Sequence, residues 1–320
     1  MDSKKLGIFI VKVFVTGAVV ALLFSAVDAR AVFAQIGEVP WEVFLYAVFC
    51  YLLSVYVSSI RWNMLLRAEK IMLSPSTLLA YNFSYNFYSA ALPGGKVAAE
   101  AVRLYQVVRD SRDPMIREKI FVPTLLDRSI VVITSGFVAV LFFITVSGMP
   151  HIVLPQWLPY AGIGAVFIIG GMAFLPIERL FGSNAPDTAP RRSMLRSFAD
   201  AFAAYRSRPV VLLNVALLSL LMNALVASGI YAITFSLGLP VSFEMVFALF
   251  CVGMVTAFVP FTIAGIGVRE GTFAYLLALV SGVPLESAFS VSLIALAAFL
   301  STVAVGGAVE FYRHFIRHIK

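Results

Sequence analysis

Charge is scarce in this sequence. Asp, Glu, Lys and Arg make up 13% of its 320 residues, against about 25% in soluble domains. No polar block is long enough to fold alone. The longest, Glu178 to Arg208, is a loop's worth of chain, which excludes a separate soluble domain within the sequence. Cysteine is scarcer still. Cys50 and Cys251 stand far apart in apolar segments without CxxC spacing, so a disulfide framework and a Cys-ligated metal centre are excluded and both read as structural thiols. There are three histidines. His314 and His318 are four residues apart, as a helical metal pair would be, but no carboxylate or Cys cluster joins them. They read as interfacial charge, and no metal or cofactor is expected. The GxxxxGK[ST], GxSxG and HExxH patterns are missing, as is any Asp/Glu pair in an exposed loop. This removes the common nucleotide-binding and hydrolytic signatures.

What the chain has instead is apolar mass: 61% hydrophobic residues and a mean hydropathy of +0.94. The expected fold class is an all-α polytopic membrane protein forming a single membrane domain over residues 1–320. A span needs about 20 apolar residues, and six segments qualify: Leu6–Val27, Trp41–Ile60, Phe121–Val146, Trp157–Pro176, Pro209–Leu237 and Glu286–Phe311. The first follows MDSKK, but it is too long for a signal-peptide core and Lys12 interrupts it; it reads as a retained span.

The net charge of +7 and pI near 9.5 fit topology-setting loops and contact with anionic lipid, not nucleic acid. Lys4 and Lys5 precede the first span; Asp28, Arg30 and Glu38 follow it. Arg61, Arg67 and Lys70 follow the second span, and the loop from Ser147 to Gln156 carries no charged residue. Residues 177–208 are arginine-rich, and the tail adds Arg313, Arg317 and Lys320. Basic loops alternate with non-basic ones, which predicts cytoplasmic termini.

Two apolar stretches do not fit simple spans. Ser76–Leu92 is followed by a break at Pro93, Gly94 and Gly95 and a second helix, Val97–Arg109. Phe243–Val259 is followed by a break containing Pro260, Gly265 and Gly267 and a second helix, Gly267–Val280. Flanking charges put both ends of each pair on one side of the membrane, which predicts two re-entrant helical hairpins entering from opposite faces. Residues 41–147 and 209–312 then form an inverted-topology repeat. Pro93 matches Pro260, and Arg103 and Arg269 follow ten and nine residues later.

Irregular backbone at membrane depth is tolerated where it faces protein or a wet cavity. The helix after each break would begin there, its free N–H groups and partial positive charge making an anion site. Lys96 stands at one break and Arg269 at the other. Lys96, Arg103 and Arg269 are candidate binders of an anionic headgroup, while Glu100, Asp127, Arg128 and Glu270 lie in or beside the same segments. Charge at such depth costs roughly 2.5–3.5 kcal/mol on insertion scales, and mutual pairing or snorkelling to the interface is the alternative use for it. Asn82 and Asn86 share a helix face and suit a headgroup or a neighbouring helix equally; Asn214 and Asn223 read as contacts between helices.

"LPGGKVAAEAVRLY", Leu92 to Tyr105, resembles the LPGG…D/E-x-x-R-x-Y motif of the lysylphosphatidylglycerol synthase transmembrane-domain family, also called flippase-like. "VPFTIAGIGVREGTFAYLL", Val259 to Leu277, resembles its second motif, and "LLDRS", Leu125 to Ser129, its acidic-Arg motif. The resemblance covers nearly the whole chain. It implies handling of polar lipids: an aminoacylated phospholipid, as in the flippase part of multiple peptide resistance factor, or a polyprenyl-phosphate lipid. The soluble aminoacyl-transferase domain of those proteins has no counterpart before Lys320, so lipid synthesis is not expected. Ala98 and Ala99 stand where many relatives have glycines, and Lys96 is an added positive charge.

The expected function is therefore translocation of a polar or anionic lipid, with its headgroup at a midplane cationic cavity. The alternative is a membrane transferase acting on a polyprenyl-phosphate or phospholipid substrate. Expected partners are the lipid itself, with a second copy of the chain and a separate lipid-modifying enzyme left open.

Overall fold

A computed structural model describes residues 27–92, 95–111, 116–146, 205, 207–256 and 267–319, apart from the side chains of 117, 118 and 316–319. The expected span over 6–27 but for its last residue, the expected span over 157–176, most of the loop 177–208, and the break residues Pro93, Gly94, Pro260 and Gly265 lie outside the described residues. Among those described, the chain is helical throughout and contains no strand.

The helices are α1 (Ala29–Glu38), α2 (Trp41–Ala68), α3 (Pro75–Ala91), α4 (Gly95–Asp110), α5 (Ile116–Val146), α6 (Pro209–Ser236), α7 (Phe243–Thr256), α8 (Val268–Ser281) and α9 (Leu285–Ile319). Local chemistry sets several of their starts. Asp28 accepts a hydrogen bond from the Arg30 N–H at 2.8 Å and caps α1. Ser74 accepts from the Thr77 N–H at 3.1 Å, and Pro75 fills the first helical position of α3, where its missing N–H costs nothing. The sequence gives no apolar signal for α1, which lies where a loop is expected.

Length divides the helices into two groups. Four of them, α2, α5, α6 and α9, have 28, 31, 28 and 35 residues and are long and apolar enough to cross a membrane. The helices α3, α4, α7 and α8 have 17, 16, 14 and 14 residues. At 1.5 Å per residue they reach about 21–26 Å, short of the ~30 Å hydrocarbon core. They pair as α3 with α4 and α7 with α8. In the first pair the chain doubles back: the Tyr81 hydroxyl near the start of α3 donates to Asp110 at the end of α4 at 2.7 Å, and Asn82 meets Arg103. This is an integral membrane protein built from helices long enough to cross a bilayer and from pairs of shorter helices.

Packing between the two halves is reciprocal. The opening long helices α2 and α6 pack on each other. The first helix of each hairpin packs on the last long helix of the other half, α3 on α9 and α7 on α5. Without a hydrophobic driving force in lipid, close approach depends on small residues. A Cβ at Gly229 of α6 would lie 2.9 Å from the Ala47 Cα of α2, and one at Gly306 of α9 would lie 2.8 Å from the Phe83 carbonyl carbon of α3.

Gly306→Val is therefore expected to push α9 off the first hairpin and to cost about 1–3 kcal/mol as an overpacked contact. Thermal denaturation of the detergent-solubilised protein checks this. Gly37→Ala, with nothing within 4 Å of the added carbon, should melt no lower than wild type; an unchanged melting temperature for Gly306→Val would show that the helices are not in backbone contact.

Candidate functional site

The four long helices and both hairpins surround a cavity of about 130 Å³, several times the ~10–15 Å³ that one water requires. Its wall follows helical periodicity. From α2 come Tyr51, Ser54, Ser58 and Arg61; from α3 come Asn82, Tyr85, Asn86 and Ser89. Spacings of three and four keep each set on one face of its helix. Met222 and Asn223 of α6, Phe250 and Met254 of α7, and Phe299 and Thr302 of α9 close the far side.

Four basic residues reach this wall: Arg61 from α2, Lys96 from α4, Arg128 from α5 and Arg269 from α8. Lys96 and Arg269 occupy matching places at the starts of the return helices. Gly95 begins α4 with φ +54° and Gly267 precedes α8 with φ +90°, backbone that L side chains seldom adopt. Each turn thus delivers the next basic residue to the same space. No Asp or Glu is among the described residues lining the cavity.

The carboxylates stand behind the arginines. Glu100 accepts from Arg103 Nε at 2.8 Å on one oxygen and from Arg128 Nε at 2.7 Å on the other. Asp127, fully buried, accepts from Arg61 Nε at 2.8 Å, and its second oxygen lies 3.6 Å from Arg103 and 3.9 Å from Arg128. Arg61 also donates to Ser219 at 3.1 Å. Arg103 is 1% exposed: its Nη1 donates to Asn82 at 3.0 Å and its guanidinium lies 4.0 Å over the Trp62 ring. The result is a buried network joining α2, α3, α4, α5 and α6, with nearly every charge paired as burial requires. On the other hairpin, Glu270 accepts from Arg269 Nε at 2.8 Å and from the Gly267 N–H at 2.8 Å.

Several sequence expectations change in detail. Arg103, a candidate headgroup binder, is enclosed by Trp62, Asn82, Glu100 and Asp127 and does not line the cavity. The N-terminus of α8, expected to offer free N–H groups, already holds an anion of its own: the Glu270 carboxylate takes the Gly267 N–H. Arg61, expected in a loop after the second span, is a buried residue inside α2. Asn82 and Asn86 reach neighbouring helices, Asn82 through Ser59 and Arg103 and Asn86 through Thr302 at 3.2 Å, and both also face the cavity. Asn223 donates to Ser135 at 2.9 Å, a contact between helices as expected.

A second polar cluster carries no signal in the sequence. Glu310 of α9 accepts from Tyr88 at 3.0 Å and from Gln106 at 2.8 Å, and Arg313 reaches Asp110 at 2.9 Å. It ties α9 to the first hairpin at the end away from the break. Among the described residues no group of His, Cys, Asp and Glu could hold a metal ion.

Compared with known proteins, residues 9–306 match the family model described as the lysylphosphatidylglycerol synthase TM region. No curated protein matches the chain.

Proposed function

The chain belongs to the lysylphosphatidylglycerol synthase TM region family, and from that premise we propose that it is a transporter that moves a polar or anionic lipid across the cytoplasmic membrane, with no reaction chemistry of its own. The observation that carries this is the cavity: a polar space among apolar helices whose described lining brings together Arg61, Lys96, Arg128 and Arg269 from four helices. A phosphate headgroup would meet several basic side chains there, while acyl or prenyl tails stay in lipid. Lys96, Arg128 and Arg269 contact the phosphate. Glu100, Asp127 and Glu270 hold those arginines in place, and Arg103 positions Glu100 and Asp127. The breaks at Pro93, Gly94 and Gly95 and at Pro260, Gly265 and Gly267 deliver the two basic residues to the same point.

In this proposal the molecule is a single membrane domain with an inverted-topology repeat, 41–147 and 209–312. The hairpins re-enter from opposite faces, and both termini are cytoplasmic. The reciprocal packing of α3 on α9 and α7 on α5 supports that arrangement, because exchanging the two halves exchanges one contact for the other. Rocking of one half against the other would open the cavity to each face in turn.

The test is translocation in proteoliposomes. The full-length protein, reconstituted with fluorescently labelled phosphatidylglycerol, phosphatidic acid and lysyl-phosphatidylglycerol, should equalise at least one label between leaflets faster than protein-free vesicles. No acceleration for any label would overturn the proposal.

A further inference from the structure

Within that transport reading, on which this inference rests, access to the cavity needs a seam between the halves that can part. We infer that the contact of α9 with the first hairpin, latched by Glu310 and Arg313, is the gate that shuts the cavity from the face where α9 ends. Helix length sets its position. Glu310 and Arg313 follow the cavity residue Thr302 on α9, and their partners Gln106 and Asp110 follow the cavity residue Lys96 on α4. At 1.5 Å per residue the latch lies about 12–21 Å from the cavity wall along both helices, toward one face. Thr302, Gly306, Glu310 and Arg313 recur every three or four residues and share one side of α9. Thr302 meets Asn86, and Gly306 admits the Phe83 backbone. Glu310 accepts from Ser84, Tyr88 and Gln106, and Arg313 donates to Asp110 and lies 4.8 Å over the Tyr81 ring. This side of α9 is therefore zipped to the hairpin from the cavity outward.

Which ion pairs cross between the halves decides what can move. Arg61 with Asp127, and Arg103 and Arg128 with Glu100, lie within α2–α5, and Arg269 with Glu270 lies within α8. Rocking leaves these pairs intact. The Arg313–Asp110 pair and the bonds to Glu310 join α9 to α3 and α4, so parting the halves at this face must break them. Their exposure fits that use. Arg61 and Asp127 are 1% and 0% exposed, whereas Glu310, Arg313 and Asp110 keep 19%, 20% and 27%. Partly wet pairs give up their partners for water at little cost. Packing alone does not call for charge here. The contact that takes this one's place when the halves are exchanged, α7 on α5, is apolar: Phe142 of α5 and Met245 of α7 pack on Val146 and Val280. Together, α7 and the part of α5 after Arg128 carry one charged residue, Glu244, and it is exposed.

Sided thiol labelling tests this. The full-length protein carrying Ser58→Cys, a cavity position on α2 outside the latch, is reconstituted in vesicles sorted by the orientation of a C-terminal tag. The reagent is sulfonatoethyl methanethiosulfonate, a small anion that does not cross the bilayer. Protein with its native thiols alone, both buried, sets the background. Glu310→Gln and Arg313→Gln, each checked for monodispersity, should raise labelling from the C-terminal face roughly tenfold, the size expected when bonds to a charged group are lost. Labelling from the opposite face should not change. An unchanged rate in both variants, or an equal rise from both faces, overturns the gate. Locking the seam is the converse arm. Ser84→Cys/Glu310→Cys protein joined by a short bismaleimide should exchange lipid at about a tenth or less of its unlinked rate, and unimpaired exchange after linking also overturns the gate. Labelling does not depend on lipid movement, so the two readings fail separately. Loss of the gate leaves lipid exchange by the wild-type protein standing. Sided labelling as expected, with no lipid exchange by any variant, removes transport and keeps the gate.

Discussion

Asp127→Ala should cost about 3–5 kcal/mol, the usual loss when one partner of a buried charge network is removed. The carboxylate accepts from Arg61 at 2.8 Å and lies within 4 Å of Arg103 and Arg128. Without it Arg61, 1% exposed, keeps Ser219 and the Met222 sulfur as its partners among the described residues. Native proteins hold about 5–15 kcal/mol in all, so the variant should melt far below wild type and lose its monodisperse peak on size exclusion. The paired variant Arg61→Met/Asp127→Leu separates charge from packing. It removes donor and acceptor together and leaves no orphaned charge in that pair, so it should recover part of the loss. A stability within about 0.5 kcal/mol of wild type for Asp127→Ala, judged against the ordinary scatter of surface substitutions, would show that the carboxylate does not hold the network. A double variant no better than the single one would shift that role from Arg61 to Arg103 and Arg128.

Lipid translocation should fall roughly 100-fold in Lys96→Gln/Arg269→Gln protein. Hydrogen bonds to a charged group are worth about 1.5–3 kcal/mol each, and the pair supplies one contact from each hairpin. Both positions line the cavity, and glutamine keeps length and hydrogen-bonding capacity while removing charge. The charge-retaining exchange Lys96→Arg/Arg269→Lys is the control: it should retain much of the rate, with some loss because Arg269 bonds Glu270 through two nitrogens and a lysine cannot reproduce that fork. The measured quantity is the initial rate of leaflet exchange per reconstituted protein. Unimpaired exchange in the glutamine variant would sink the assignment of these residues to the headgroup.

The hairpin breaks were legible in the sequence because their signal is local: proline, glycine and a basic residue within a few positions in an apolar run. Lys96 and Arg269 could be singled out on that basis, and the structure brings both to one cavity. Arg61 was hidden for the opposite reason. A hydropathy window stops at the first strong charge, so it ended the second span at Ile60 although α2 continues to Ala68. The partner that lets Arg61 stay buried, Asp127, is 66 residues away. A cue was present in the polar face of Ser54, Ser58 and Arg61 along an otherwise apolar helix. Arg103 shows the same limit from the other side. Its sequence context marks a charge beside a break, but only the packing of Trp62, Asn82 and Glu100 around it reveals that it faces inward. Glu310, inside the expected last span, carried no cue because Ser84, Tyr88 and Gln106, which bond it, are more than 200 residues distant.

The packing of α3 against α9 also sets a timetable. Asn86 bonds Thr302 across 216 positions of chain, and at ~5–20 residues per second of synthesis the first hairpin emerges roughly 10–40 s before the helix that becomes its wall. During that interval its asparagines and serines, Glu100 and Arg103 must be kept from lipid by an insertion factor or by water at the translocation site. Biogenesis, more than the finished fold, is then the stage at which this chain is most exposed to quality control.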